Sequence, residues 1–441
     1  MAAPDSTIPP RDPAGAGMPP LVRLKAILGG SAGNLVEWYD WFAYSSFTLY
    51  FAKHFFPKGD DTAQLMQAAA VFAVGFGARP VGAWLMGLYA DRAGRRTALT
   101  TAVAMMCLGS FAIAILPDYQ AIGVWAPAGL LAARLIQGLS LGGEYGASAT
   151  YMSEMAGRAR RGFWSSFQFV TLIMGQLLAL AVLIVLQNVM PRADLEAWGW
   201  RIPFVIGAVL AVVVFWIRLG LEESASFKAA QASGAERART MMLFLHHPRE
   251  TAIIFGLTAA GSLAFYAYTT YMQKFLVNTA GFSKDAATAV SAASLVVYML
   301  VLPAFGWLSD KVGRRRTLAL SFGIGAAITF PVMSMLSHAG SVAEAFLLST
   351  LLVVTLCGYS AVSAVVKAEL FPAHVRALGV ALPYATANAI FGGTAEYVAL
   401  ALKKAGYESG FYVYVAALMA LAFLIAVRLR DTNRESRILE D

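Results

Sequence analysis

The sequence predicts an all-α membrane protein with twelve transmembrane helices in two six-helix halves. Three observations predict it. The 441-residue chain is 58% hydrophobic and only 14% charged, whereas soluble globular proteins carry about 25% charged residues. Its apolar residues gather into twelve runs, each near the roughly 20 residues that a bilayer-spanning helix needs. A short charged loop is also written twice, as GLYADRAGRR (87–96) and GWLSDKVGRR (306–315).

A chain this long and this apolar has too little polar surface to stay in water, so an integral membrane protein is expected. The net charge of +8 does not point to nucleic acid. The basic residues sit in short loops between apolar runs and form no continuous basic face. The two cysteines, Cys107 and Cys357, both lie in apolar runs, which argues against a disulfide framework and leaves the redox compartment unread. Residues 1–22 hold six prolines and no apolar core. Residues 1–25 therefore read as a disordered cytoplasmic tail with no cleavable signal.

The predicted spans follow in order. The first, 26–51, carries Glu37 and Asp40. The second, 65–90, runs into the first charged loop. The third, 97–116, and the fourth, 123–152, lead to a Glu154–Arg161 segment. The fifth is 163–187. The sixth, 200–220, opens on WGWRIPF (198–204). The longest polar segment, 221–249, separates the halves. Spans seven and eight are 250–278 and 285–309, the latter ending on the second charged loop. The ninth is 317–337, and the tenth, 343–367, leads to a Glu369–Arg376 segment. The eleventh and twelfth are 374–401 and 409–428, followed by a short tail, 429–441. Strands are excluded because a backbone in lipid must bond within its own segment unless a barrel closes.

With the N-terminus inside, 24 of the 34 lysines and arginines fall in inner segments and six in outer loops. The remaining four, Arg79, Arg134, Arg201 and Lys274, sit at membrane depth. This asymmetry predicts both termini in the cytoplasm. Asp91 and Asp310 are 219 residues apart, about half the chain, and each joins helix two to helix three of its own half. Glu154–Arg161 and Glu369–Arg376 repeat with a spacing of seven. Two repeated halves, 26–220 and 250–428, in parallel topology are a transporter architecture.

The loop signature G-x-L-x-D-x-x-G-R-[RK], matched at 306–315 and, but for Tyr89 in place of the leucine, at 87–96, resembles that of the major facilitator superfamily. GNLVEWYDWFAY (33–44), FGARPVG (76–82), GLSLGGEYG (138–146) and WGWRIPF are similar to its metabolite:proton symporters. The segments at 258–281, 367–380 and 387–403 resemble the α-ketoglutarate-carrying members. The resemblance covers 26–428. It implies a proton-coupled symporter importing α-ketoglutarate (2-oxoglutarate) by alternating access in a bacterial inner membrane. Its partners would be the lipid bilayer and a small dicarboxylate, its unit a monomer, and its coupling ion the proton, with no other cofactor. The alternatives are the same fold carrying citrate, shikimate or a zwitterionic osmolyte, or a membrane sensor. An osmosensing member is expected to carry a long C-terminal coiled coil, and about 13 residues without heptads follow helix twelve here. A sensor is expected to add a signalling domain.

Gating is expected at the charged loops. Asp91 and Asp310 can bond the orphan amides of a neighbouring helix N-terminus or pair with arginine between halves, alongside Arg95 and Arg314. The bland reading is positive-inside topology, which suffices for Arg96, Arg315 and Arg316. The loop glycines suit a tight turn with positive φ. Glu154–Arg161 and Glu369–Arg376 are either further latches between halves or ordinary interfacial ion pairs.

A charge at mid-bilayer is costly and generally faces a cavity. In the family, helices one, four, seven and ten line it. At 1.5 Å per residue, Asp40 lies ~20 Å into helix one and Arg134 ~15 Å into helix four, so the two can meet. Asp40 is the first choice for the coupling carboxylate, Glu37 the second, and Glu144 on the glycine-rich end of helix four belongs to the same set. An apolar site favours a neutral carboxyl and a nearby arginine an ionised one, so exchange of the arginine's partner would drive protonation. The alternative for Asp40 is a fixed ion pair with Arg134. Gln137, one turn on, can share that network. A dianionic substrate demands cations, preferably arginine. Arg79, Arg134 and Lys274, with Tyr44 and Tyr271, are the substrate-binding candidates. Arg79, followed by Pro80, serves either substrate or coupling and packing. Lys274 either takes a carboxylate or snorkels to the interface, with Glu396 and Tyr397 as possible partners at an outer gate. Arg201 reads as structural. No phosphate-binding loop, metal cluster or nucleophile–base arrangement is present, so an enzyme is not expected.

Overall fold

Twelve long helices carry the described part of the chain. The computed structural model describes residues 20–57, 59–93, 95–140, 160–219 and 246–432, giving for 20–33, 87–88, 90–93, 95–96, 98–99, 217–219, 373–374 and 377 the backbone course alone. The first half comprises α1 (Pro20–Phe55), α2 (Asp61–Ala93), α3 (Arg95–Ile115), α4 (Trp125–Ser140), α5 (Phe167–Val189) and α6 (Ile202–Leu219). The second comprises α7 (Pro248–Phe265, resuming at Met272–Asn278), α8 (Lys284–Val312), α9 (Arg314–Leu336), α10 (Val342–Glu369), α11 (Ala373–Ala387, resuming at Ala395–Lys404) and α12 (Ser409–Arg428). Glu144 and Glu154 lie outside the described residues, as does most of the central segment 221–249. Asp91 lies in the last turn of α2 and Arg95 opens α3, on the backbone only.

Eight of these helices could cross a bilayer on length and apolarity alone. The other four are α1, which carries Asn34, Glu37 and Asp40; α3, whose apolar stretch is the shorter Thr100–Ile115; α4, which reaches the end of the described segment; and α11, which is interrupted. Local signals fix several ends. The Ser283 hydroxyl accepts from the Ala286 amide at 3.2 Å to start α8. The Ser341 hydroxyl accepts from the Glu344 amide at 3.2 Å to start α10, while Glu344 reaches back to the Gly340 amide at 2.9 Å.

Where the sequence predicts unbroken helices seven and eleven, each widens into one π turn, at Tyr266–Thr270 and Asn388–Gly392. A π turn inserts one residue and re-aims the face beyond it, which is why such turns collect at functional sites. These two adjoin. The Tyr266 ring edge meets Phe76 of α2 at 5.3 Å, so both turns sit where the halves touch.

The halves are joined at both ends of the bundle. At the proximal end, where the chain enters α1 and leaves α12, Asp310 follows the close crossing of Gly162 and Gly306. A Cβ on Gly306 would lie 2.5 Å from the Gly162 carbonyl oxygen, so only glycine allows the approach. Asp310 then accepts from the Gly162 amide (2.8 Å), the Phe163 amide (3.0 Å) and Arg314 Nη1 (2.8 Å). Both expected roles, capping a helix N-terminus and pairing with arginine, fall to this one carboxylate. The turn needs Gly313, whose φ is +95°, and Asp431 closes it by accepting from the Arg314 amide at 3.1 Å. Arg314 Nη2 also lies 3.7 Å from Glu369, whose other oxygen accepts from Thr432 at 2.5 Å. Arg376 Nε donates to the Phe371 carbonyl at 3.2 Å, and Arg161 is buried beside this cluster.

At the distal end, Glu196 bonds Lys53 at 2.8 Å and, across the interface, Lys284 at 3.0 Å. Gln187 Nε2 donates to Tyr50 Oη (2.8 Å) and to Thr288 of the other half (3.3 Å). Arg201 bonds Asp118 at 2.9 Å and the Leu116 carbonyl at 3.1 Å, a structural tie within the first half. Partial burial opposes ionisation of Glu196, but Lys53 and Lys284 overcome it and hold the carboxyl at about 2.

Asp310→Asn is expected to leave Arg314 buried and incompletely paired, at a cost of about 3–5 kcal/mol. A cysteine at Ser165, whose hydroxyl is buried without a hydrogen-bond partner, should then become reactive to a water-soluble maleimide. Unchanged protection would show that Asp310 does not hold this end shut. For Glu196, a carboxyl held below its free value of about 4.5 stabilises fully above that pH and loses the contribution as pH falls towards about 2. Spin labels at Asn188 and Asp285 should therefore keep their separation from pH 7 to 5 and move apart progressively as pH falls from 4.5 towards about 2. Glu196→Gln should shift the distribution towards longer distances at every pH, and an unchanged distribution would dismiss this link.

Candidate functional site

The first site builds on α1. Helical spacing sets Glu37, Trp41 and Tyr44 along one stripe with Asp40 beside them. Asp40 is 2% exposed. Its Oδ1 accepts from the Ser110 hydroxyl of α3, and its Oδ2 accepts from Gln137 Nε2 of α4 at 2.5 Å. The same Nε2 reaches the Ser110 oxygen at 3.0 Å, and Gln137 Oε1 accepts from Arg134 Nη1 at 2.8 Å. Asp40 and Arg134 stand 4.0 Å apart, at the limit of an ion pair. The sequence brings these two together correctly. The amide inserted between them sets how they communicate.

Arg134 is fully buried, and its Nε and Nη2 have no hydrogen-bond acceptor. Aromatic faces take their place: its guanidinium lies 3.8 Å from the Trp41 ring centroid and 4.4 Å from Tyr44. A desolvated cation–π contact contributes about 2 kcal/mol, which offsets part of the burial. Arg79 is treated alike. Its guanidinium lies 3.9 Å from Phe76 and 4.1 Å from Trp41, with Nε and Nη2 again lacking acceptors. Trp41 thus serves two guanidiniums. Glu37, buried on α1, lies within electrostatic reach of Arg79. The Tyr44 hydroxyl donates to the Ala68 carbonyl at 2.9 Å, so this tyrosine is spent on helix contact and on Arg134.

Lys274 does not snorkel. It is fully buried, and its Nζ donates to Glu396 at 2.7 Å and to Ser45 of the first half at 2.8 Å. The partner foreseen on helix eleven is therefore present, as Glu396, whereas Tyr397 is 38% exposed. Tyr271 packs its ring edge on Phe411 at 5.7 Å and on Phe275 at 6.0 Å.

Between the halves lies a small cavity lined by Phe169, Ser262, Tyr266, Tyr359, Tyr384 and Asn388. Sequence reasoning missed these hydroxyls, and it missed Ser110, Trp41 as a shared cation platform, and Lys367. Lys367 is one of the 24 basic residues that the sequence places in inner segments, yet it is 2% exposed and sits 4.3 Å from the Tyr384 ring. Aromatic residues on apolar helices carry no sequence mark that separates a cation cage from a core.

The chain matches the sugar (and other) transporter family over residues 26–248 and 225–430. It is 51% identical to the α-ketoglutarate permease of Escherichia coli, with 94% of this chain and 96% of that one covered. It is 34% identical to a citrate-proton symporter of Klebsiella pneumoniae, covering 94% of each. It is 31% identical to the shikimate transporter of Escherichia coli, covering 93% and 95%. Among solved structures, a D-xylose-proton symporter superposes with a TM-score of 0.72 at 18% identity, covering 93% and 98%. The partially occluded, inward-open xylose transporter XylE of Escherichia coli gives 0.71 at 19%, covering 91% and 96%. These two likenesses carry the fold, and the family match together with full-length relatives above 30% identity carries the membership: the chain belongs to the sugar (and other) transporter family of the major facilitator superfamily.

Proposed function

We propose that the chain is a proton-coupled symporter that imports α-ketoglutarate by alternating access across a bacterial inner membrane, with both termini cytoplasmic. The observation that carries the substrate is the 51% identity, along nearly the whole of both chains, to a protein named for that permease activity. The buried charges supply a mechanism. Asp40 accepts both of its hydrogen bonds as a carboxylate. A proton arriving on Oδ2 makes that oxygen a donor facing the Gln137 amide nitrogen, also a donor. Gln137 relieves this by turning its amide, offering Oε1 to Asp40 and withdrawing it from Arg134. Arg134 then lacks its one hydrogen-bond acceptor and its counter-charge, and a substrate carboxylate replaces both. Release of substrate reverses the sequence and returns Asp40 to the anion. Arg79, whose guanidinium also lies against Trp41, attracts the dianion into the same region.

Alternating access requires the two ends to part in turn. Opening outward breaks Glu196–Lys284 and Lys274–Ser45. Opening inward breaks the Asp310 bonds to Gly162 and Phe163. In this reading Lys274 acts with Glu396 as a distal latch, and Glu37 supports Arg79. A second reading, the same machine carrying citrate or shikimate, rests on the relatives at 34% and 31% identity. Uptake of labelled α-ketoglutarate into proteoliposomes, with and without an imposed pH gradient, separates the two. Citrate or shikimate accumulating while α-ketoglutarate does not would decide for the second.

Asp40→Asn should abolish gradient-driven accumulation, because asparagine cannot exchange a proton, while counterflow of internal for external α-ketoglutarate persists. A fixed structural pair predicts loss of both, with thermal stability lowered by an unpaired Arg134. Intact accumulation would move the coupling role to Glu37. For the latch, Lys274→Met should strand Glu396 and destabilise by about 3–5 kcal/mol. The double variant Lys274→Met/Glu396→Gln should recover most of that stability and still bind α-ketoglutarate. Recovered stability with binding lost would make Lys274 a substrate ligand instead.

A further inference from the structure

We infer that the dicarboxylate is read by two arginine forks of the first half, set on one tryptophan. One carboxylate lies on the Nε–Nη2 edge of Arg134, the other on the Nε–Nη2 edge of Arg79, and Trp41 holds the two cations in place. This rests on the transport reading above and deepens it by assigning the second carboxylate and the side chain that positions both cations.

The two guanidiniums match in what they leave unbonded. Arg134 is fully buried and Arg79 is 7% exposed, and each leaves the same two nitrogens, Nε and Nη2, without a hydrogen-bond acceptor. On that edge of a guanidinium two N–H bonds run parallel, which is the fork that takes both oxygens of a carboxylate. The faces of both groups are spent on aromatic rings, which favour a cation but accept nothing in its plane. Trp41 Nε1 also lacks an acceptor. Buried donors left unmatched carry their full desolvation cost, and here they gather round one ring. Arg314 leaves the same edge unbonded, but the Glu369 carboxylate already stands 3.7 Å from it.

The sequence delivers both arginines to Trp41 through one helix crossing. A Cβ on Gly138 of α4 would collide with the Gly75 carbonyl oxygen of α2, and one on Gly75 would lie 3.1 Å from Trp41. Arg79 follows Gly75 by one turn, and Arg134 precedes Gly138 by one turn. Their guanidiniums lie 4.1 Å and 3.8 Å from the Trp41 ring centroid, so their separation cannot exceed the sum of the two. That is the scale of a short diacid. The two cations are within electrostatic reach of each other and repel. A diacid joined to both forks replaces that repulsion with two charge-assisted pairs, whereas a monoacid makes one. Both cations belong to the first half, so the dianion travels with that half. The second half meets this site through Tyr266, whose ring edge rests on Phe76, and Phe76 carries the Arg79 guanidinium.

The test uses the full-length carrier in proteoliposomes, reading counterflow of labelled α-ketoglutarate against two unlabelled competitors. One is α-ketoglutarate. The other is 2-oxopentanoate, the same five-carbon 2-oxo acid without the distal carboxylate. In the wild type α-ketoglutarate should compete at about 10–150-fold lower concentration, the range for one charge-assisted hydrogen bond. Arg79→Gln should bring α-ketoglutarate down to the potency of 2-oxopentanoate and leave the latter unchanged. Should that variant not assemble, Arg79→Lys keeps the buried charge, removes the fork and should still lose most of the preference. Trp41→Leu should narrow the ratio of the two potencies, and Trp41→Phe, which keeps a ring beneath the cations, should preserve it. A merely structural role for either residue predicts equal losses for both acids and an unmoved ratio, which overturns the inference. A full preference retained in the Arg79 variants overturns it too, as does a wild type without preference. Absence of any α-ketoglutarate transport by the wild type overturns the transport reading and this one with it.

Discussion

A guanidinium at membrane depth has no water to solvate it, and the first half is arranged around that fact at Arg134. Four helices converge on it. α1 brings Trp41 and Tyr44 to its faces, and α2 brings Phe72 to its edge. α3 brings Ser110 to the far side of Asp40, and α4 brings Gln137 as its single hydrogen-bond acceptor. The counter-charge is present but held off at 4.0 Å. A tight bidentate pair would be a permanent structural element, costly to break and useless for exchange. An amide between the partners makes the pairing conditional, because an amide presents either a donor or an acceptor according to what faces it. The aromatic faces carry the cation through the exchange, since they do not depend on the protonation state of Asp40.

The two ends of the bundle are built with different physics. The proximal link is buried: Asp310 caps backbone amides across a glycine–glycine crossing, and Arg314 behind it is fully enclosed. The distal link is partly exposed. Glu196 is shared among Lys53, Lys284 and Arg192, all within reach of solvent. Exposed ion pairs contribute about 0–1 kcal/mol each, so the distal surface closes loosely and relies on Lys274 beneath it. Depth compensates for exposure: the ammonium of Lys274 is fully buried and joins α7 to both α11 and α1.

How much of this was legible in the sequence divides along a physical line. Helices, halves and the repeated loop could be read because hydropathy, charge asymmetry and a spaced motif are properties of residue type. Gly313 and Asp310 behave as their motif implies, with positive φ and a helix-capping carboxylate. The meeting of Asp40 with Arg134 could be read because depth along a helix is a matter of counting. Contacts that depend on rotation about the helix axis could not. Trp41 is one aromatic among many on α1, and nothing in its neighbours marks it as a platform for two cations. The π turns escaped for the same reason, since an inserted residue leaves no compositional trace. Lys367 was misplaced because charge asymmetry counts a lysine near a helix end as topological. Only its enclosure shows otherwise.

A carrier works only if its two closures are nearly balanced. Were the buried Asp310 link unopposed, the proximal end would stay shut, and a substrate with equal affinity for both states would shift nothing. The opposing terms are visible. Lys274 and Glu396 stabilise closure at the other end through a pair that is itself enclosed, and the Phe76–Tyr266 contact joins the halves near the π turns. In the proposed cycle, neutralising Asp40 removes the charge that would repel a dianionic substrate beside Arg134. The proton and the substrate therefore need not touch. Each lowers the cost of the other by changing the charge around one tryptophan, and that is the least a buried site requires to couple them.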